Sequence, residues 1–171
     1  MAKKIVLLGY MGCGKSAISR ALSKKLNLPI VDLDDYIEAK ENCTIKEVFE
    51  NKGEVYFRQQ EISCLKELLS NEKEMVLSVG GGTPCFGDNM NLINELGTAV
   101  YLSASIPTLV ERLVKEKAKR PLIARIADDE LAEFIGKHLF ERRQFYLKAK
   151  IAVTVDKKSV TTIANEIIDL L

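Results

Sequence analysis

The sequence has no tryptophan, one histidine, four prolines and only four cysteines in 171 residues. A lone histidine and scattered cysteines (Cys13, Cys43, Cys64 and Cys85, with no CxxC pair) do not supply a zinc-ligand set, and the same spacing is no disulfide framework. Reduced thiols in a cytoplasmic protein are the expectation. No apolar run approaches membrane-spanning length. Met1-Ala2-Lys3-Lys4 leads straight into strand-like residues without a cleavage-type segment, so no secretory signal is expected. An excess of one charge is also missing. The 25 Lys and Arg against 24 Asp and Glu leave +1, which gives no bulk electrostatic case for nucleic acid or an anionic membrane as partner.

What is present is ordinary for a globular protein: 47% apolar and 29% charged residues, in a length that fits one domain over residues 1–171. Short apolar, β-rich runs at Ile5–Gly9, Pro29–Asp34, Met75–Gly80, Ala99–Ser103 and Ile151–Val155 predict five strands covered on both faces. Helical periodicity fills the intervals: Lys15–Leu26, Asp35–Lys40, Thr44–Asn51, Glu54–Ser70, Asn89–Glu95, Pro107–Glu116, Asp128–Lys148 and Val160–Leu170. Strand and helix in alternation predict a three-layer α/β/α fold on a five-stranded parallel sheet with right-handed crossovers. No repeat or linker interrupts it. The least regular stretch, 117–129, is basic at its start and carries Arg120-Pro121, which makes it a candidate mobile lid.

Gly9-Tyr10-Met11-Gly12-Cys13-Gly14-Lys15-Ser16 matches G-x-x-x-x-G-K-[ST], directly after a strand and directly before a helix. Glycines let such a backbone curl until its N–H groups point at phosphate oxygens, and the positive helix end adds to that field. Lys15 then reaches the β- and γ-phosphates of ATP, and the Ser16 hydroxyl binds Mg²⁺. The third strand ends in Gly80-Gly81-Gly82 and offers no metal-binding acid. The second ends in Asp32-Leu33-Asp34-Asp35. If all of these are extended, Asp32 and Asp34 point the same way at the ligand-binding edge of the sheet, Asp32 toward Mg²⁺ and Asp34 toward a substrate hydroxyl. The competing reading for Asp34 is a helix cap, which Asp35 alone could supply.

Two arginines fall on inward-facing arcs. Arg58 extends the Ile62–Leu65–Leu69 stripe, and Arg142 lies within the arc of Leu131, Phe134, Ile135 and Phe145, while Arg143 turns to solvent. An inward guanidinium needs an anion. That anion is either an internal carboxylate, such as Glu54 or Glu61 for Arg58, or a shared acidic ligand gripped in bidentate fashion. The triglycine either bares N–H groups to that ligand or is a tight turn. Arg120 either closes over the migrating phosphoryl group or is a solvated loop residue. His138, one turn before Arg142, reads as packing or support and not as a catalytic group.

Taken together these residues resemble shikimate kinases over nearly the whole chain. The resemblance rests on Gly9–Ser16, Asp32-x-Asp34, Gly53-Glu54-x-x-Phe57-Arg58, Gly80-Gly81-Gly82, Arg120-Pro121-Leu122 and Arg142-x-x-x-Tyr146, in the family's order and approximate spacing. It implies a monomeric enzyme of the chorismate and aromatic amino-acid pathway that converts shikimate to shikimate 3-phosphate with MgATP. It implies that Arg58 and Arg142 bind the shikimate carboxylate, that Asp34 and the Gly81 backbone hold its hydroxyls, and that Phe49 and Phe57 wall the pocket within the helical region 35–70. For the nucleotide it implies phosphate contacts from Gly12, Cys13, Gly14, Lys15, Ser16 and the Ala17 backbone, Mg²⁺ at Ser16 with Asp32, Arg120 from the lid, and adenine between Arg112 and Asp156. Ala17 stands where threonine is usual and Gln144 where proline is common; neither touches the phosphate or carboxylate machinery.

A gluconate kinase shares the loop and the type of substrate, but not Asp32/Asp34 with Arg58 and the triglycine. A nucleotide switch would need D-x-x-G, which is absent, and a guanine reader, whereas Asn51-Lys52-Gly53-Glu54 lies between helices. Intact Lys15, Ser16, Asp34 and Arg120 argue against a catalytically dead relative.

Overall fold

A computed structural model describes residues 3–171. Lys4–Leu8 (β1) is followed by Lys15–Leu26 (α1), Ile30–Asp32 (β2), Leu33–Glu41 (α2), Ile45–Ser70 (α3), Met75–Ser78 (β3) and Asn89–Leu96 (α4). Then come Thr98–Ser103 (β4), Ile106–Glu116 (α5), Leu131–Tyr146 (α6), Ile151–Thr154 (β5) and Val160–Leu170 (α7), with 3₁₀ turns at Thr83–Cys85 and Lys117–Lys119.

The strands form one parallel sheet in the order β2-β3-β1-β4-β5. β1 and β3 are buried along their whole length, which is why they read as unbroken apolar runs. The edge strands differ from that expectation. Ala152 and Thr154 of β5 face solvent, and Ile30 of β2 is exposed, because an edge strand is not covered on both faces. Across the sheet α1 packs on α7, α3 on α2 and α4, and α5 on α6.

Register decides where the chemistry lies. Ser78 at the end of β3 pairs with Leu7 of β1 on one side and with Asp32 of β2 on the other. The loop after β1, the triglycine after β3 and the acids after β2 therefore emerge together at the carboxyl edge of the sheet.

Two boundaries depart from the sequence reading, at the end of β2 and the start of α6. β2 stops at Asp32, because its carboxylate turns to accept from the N–H groups of Asp34 and Asp35 and caps α2. The two expected helices over 44–70 do meet at a break within α3: a Thr44–Glu47 capping box opens the first, and Gly53, at φ 82 and ψ 170, leaves helical geometry between them with a positive φ that favours glycine. α6 starts only at Leu131, after a turn in which the Glu130 N–H reaches Ala127 O. Among the described residues no helix is long and apolar enough to cross a membrane.

Candidate active site

The loop between β1 and α1 curls as its glycines allow. At Gly9, with φ 148, a Cβ would sit 2.7 Å from Leu102 O, so no larger residue fits. The Lys15 ammonium donates to Gly9 O at 2.7 Å and Tyr10 O at 3.3 Å, which holds it over the loop mouth. Arg112 braces the same loop from α5, donating to Gly12 O at 3.1 Å and Cys13 O at 3.2 Å.

A cleft of about 740 Å³ opens on this loop. Gly12, Cys13, Gly14, Lys15, Ser16 and Ala17 line it, together with Asp32, Asp34, Gly80, Gly81, Arg112 and Arg120. One residue expected at the nucleotide is not among the lining residues. Asp156 uses its carboxylate on the Ser105 N–H (3.0 Å) and hydroxyl, bracing the start of α5. Lys158, Val160 and Ile163 line that part of the cleft instead. Lys158 and Val160 lie just beyond Asp156, and they carry no motif that spacing alone could reveal.

Asp32 and Asp34 both reach the cleft, but not as alternating strand residues. Asp32 Oδ1 accepts from Asp34 N at 2.9 Å, so Asp32 fills the helix-capping role that had been weighed for Asp35. Asp34 rides the first turn of α2, with its carboxylate 3.7 Å from where a Gly80 Cβ would stand. Burial, reinforced by Asp32, Glu61 and Glu38 and opposed by Lys15, pushes the Asp34 carboxyl up to about 6.

Beyond Gly80 the two arginines converge on the triglycine. A Cβ on Gly81 would lie 3.1 Å from Arg142 Nη1, and one on Gly82 would lie 3.1 Å from Arg58 Nη2 and 3.6 Å from Arg142 Nη2. Glycine here leaves room for the two guanidiniums, which a side chain at either position would push back by a few tenths of an ångström. The internal ion pair weighed for Arg58 is real. Its Nη1 donates to Glu61 Oε2 at 2.8 Å, and exposed Glu54 lies 3.6 Å from Nε. Glu61 is a buried carboxylate that also accepts from Thr83 Oγ1 at 2.6 Å. Arg142 has no ion pair among the described residues, so its guanidinium, unlike that of Arg58, is left without a carboxylate partner. The Arg58 guanidinium also stacks on Phe86, 3.7 Å from the ring centroid, with Phe57 at 5.1 Å. Phe57 in turn packs against half-exposed Phe49 at 4.6 Å.

The sequence reading named Glu61 only as an alternative partner for Arg58, and it missed Thr83 and Phe86 entirely. The i,i+3 spacing from Arg58 was the only signal for Glu61. Arg120 is not a free loop side chain. It grips Glu116 through Nε (3.1 Å) and Nη2 (2.7 Å) at the cleft wall.

A phosphate loop with its lysine, a capped pair of aspartates and an arginine-rich far end, all on a parallel sheet, define a P-loop kinase for a small acid. The family model described as Shikimate kinase matches residues 11–171. A shikimate kinase from Flavobacterium johnsoniae is 48% identical over 99% of this chain and 99% of its own length. The crystal structure of shikimate kinase from Bacteroides thetaiotaomicron superposes with a TM-score of 0.90 at 37% identity, covering 98% of this chain and 97% of that one. The Acinetobacter baumannii enzyme, solved in complex with shikimate, gives 0.87 at 30% identity, with 99% and 93% coverage. The chain belongs to the shikimate kinase family: it is an enzyme that phosphorylates shikimate with ATP.

Proposed function

We propose that transfer is in line from the γ-phosphate of ATP to the 3-hydroxyl of shikimate, with the acid end of the substrate at Arg142 and Arg58. One observation supports this reading: a single cleft is lined by the Lys15 loop and by Asp34, Gly80 and Gly81, and Arg58 and Arg142, which lie outside that lining, converge on the same triglycine turn. The unpaired Arg142 guanidinium suits one carboxylate, which its planar fork can hold through two N–H groups.

Asp34 orients the acceptor hydroxyl and, once ionised, can take its proton. Lys15 and the loop N–H groups hold the migrating phosphoryl group, and Arg120 adds positive charge from the 117–129 lid on closure. Ser16 and Asp32 fit Mg²⁺. Both line the cleft, both offer hard oxygen donors, and the Asp32 cap uses Oδ1 while leaving Oδ2 to face a cation. Bound there, Mg²⁺ would neutralise phosphate charge. The adenine side is Arg112 with Lys158 and Val160.

The finer reading has one domain working as a monomer in the cytoplasm. The four cysteines are free thiols, which suits a reducing compartment. The test is ADP release followed with shikimate, with gluconate and with no acid. Release that depends on shikimate is expected; equal release with gluconate would reject the acceptor assignment.

A further inference from the structure

The chain's one histidine has no part in the chemistry above, yet it is not an ordinary core residue. Tyr10, directly after Gly9 in the phosphate loop, is buried, and its phenol oxygen lies 2.9 Å from Nδ1 of His138 on α6. The rings meet edge to face at 5.4 Å, and Phe134 backs the imidazole at 5.5 Å. Leucine and phenylalanine would fill this space without polar atoms. The buried phenol is tolerated because the partly exposed imidazole satisfies it. Burial raises Tyr10 to about 12, while burial and Arg142 lower His138, so both partners stay neutral near pH 7.

The bond completes a ring of contacts. The Tyr10 carbonyl accepts from the Lys15 ammonium (3.3 Å) and from the Cys13 N–H (3.2 Å), so this residue is part of the seat of the catalytic lysine. One turn beyond His138 on the same face of α6 is Arg142, and one turn further Tyr146 donates to Gly81 O at 2.6 Å. A Cβ on Gly81 would lie 3.1 Å from Arg142 and 3.5 Å from Gly9 O, which brings the path back to the phosphate loop. The hydrogen bond spans 128 residues of sequence and is the only polar contact between the Tyr10 side chain and α6 among the described residues.

We propose that Tyr10 and His138 are a positioning pair, a strap that fixes the spacing between Lys15 and Arg142 and so between the phosphoryl donor and the acid. This rests on the roles assigned above to Lys15 and Arg142. Without the strap α6 can shift against the loop, and a small error in that spacing lowers turnover of the bound acid while the nucleotide still binds.

Steady-state kinetics and ATP binding on the wild type, Y10F, H138L, the double variant and H138N test this. Y10F and H138L should each lower kcat/KM for shikimate about five- to tenfold, the scale of one buried hydrogen bond. The double variant should be no worse than H138L alone. H138N, whose side-chain oxygen can take the place of Nδ1, should recover most of the loss. ATP affinity without shikimate should not change in any of them. Because the chain has one histidine, its ring ¹⁵N resonances are unambiguous, and Y10F should move Nδ1. Y10F deletes a single oxygen and keeps the test decisive should H138L unfold. Additive losses, or ATP binding weakened as much as shikimate turnover, would overturn the strap. So would a folded Y10F with unchanged kcat/KM. A wild type whose ADP release ignores shikimate would instead bring down the functional reading, and the strap with it.

Discussion

The phosphate half of the site comes from one run of consecutive residues, Gly9–Ser16, whereas the acid half draws Asp34 from α2, Arg58 from α3, Gly80–Gly82 from the loop after β3 and Arg142 from α6, with Arg58, Gly82 and Arg142 set behind the cleft's lining. The first needs only a strand, a glycine-rich turn and a helix start. The second exists only once four separate elements have packed. Within the acid half the two arginines also differ: Arg58 is held by Glu61 and stacked on Phe86, while Arg142 rests on the triglycine with no carboxylate of its own. Substitutions in the phosphate half should therefore act on the chemistry. Those in the acid half should mix binding with stability, in a proportion set by how each residue is braced.

The largest effect expected is at Lys15. Lys15→Ala should lower kcat on the order of a thousandfold, the scale of removing a charge from the migrating phosphoryl group. A fall of less than about tenfold in single-turnover assays would place the main stabilisation elsewhere.

Next comes Asp34, where function and stability oppose each other. Asp34→Asn should reduce kcat about a hundredfold or more with ATP affinity little changed. The carboxyl is raised from 3.8 to about 6, so the native state binds a proton that the unfolded chain has already released. Stability from this group is therefore present at low pH and is lost as pH rises through about 6. Asp34→Asn should thus stabilise the protein at pH 7–8, by about 1–2 kcal/mol after discounting for partial exposure, and have no such effect near pH 4. Wild-type turnover should climb as pH rises through about 6. Urea melts of both proteins at the two pH values check the sign.

The arginines sharpen the contrast. Arg142→Ala and Arg58→Ala should each raise the KM for shikimate about ten- to hundredfold and spare ATP binding. Only Arg58→Ala should also cost about 2–4 kcal/mol of stability, because it leaves the buried Glu61 carboxylate without its cation. Adding Glu61→Gln should restore the melting temperature but not the KM. Equal stability losses for the two arginines would erase the distinction.

The smallest effect separates the two duties of Asp32. Asp32→Asn keeps a good helix cap and should change stability by only a few tenths of a kcal/mol, while Asp32→Ala should cost about 1 kcal/mol. Both should raise the Mg²⁺ concentration needed for half-maximal rate. If only the alanine variant did so, Asp32 would be a cap and nothing more.

Sequence alone determined the alternation that makes a parallel sheet, because strands buried on both faces leave unbroken apolar runs such as Ile5–Leu8 and Met75–Leu77. It also located the phosphate loop, whose parts are neighbours in the chain, and it marked Arg58 and Arg142 as charges on apolar faces. Only the tertiary structure decided that Phe86 stacks on Arg58, that Asp156 braces α5, and that Tyr10 reaches His138, while at Asp32 and Glu61 it settled local pairings that spacing left open. The physical reason is distance along the chain. A cap or a helical stripe is written in spacings of a few residues. A bond such as that from the phosphate loop to α6 depends on how the helices settle against the sheet, and no local pattern records that.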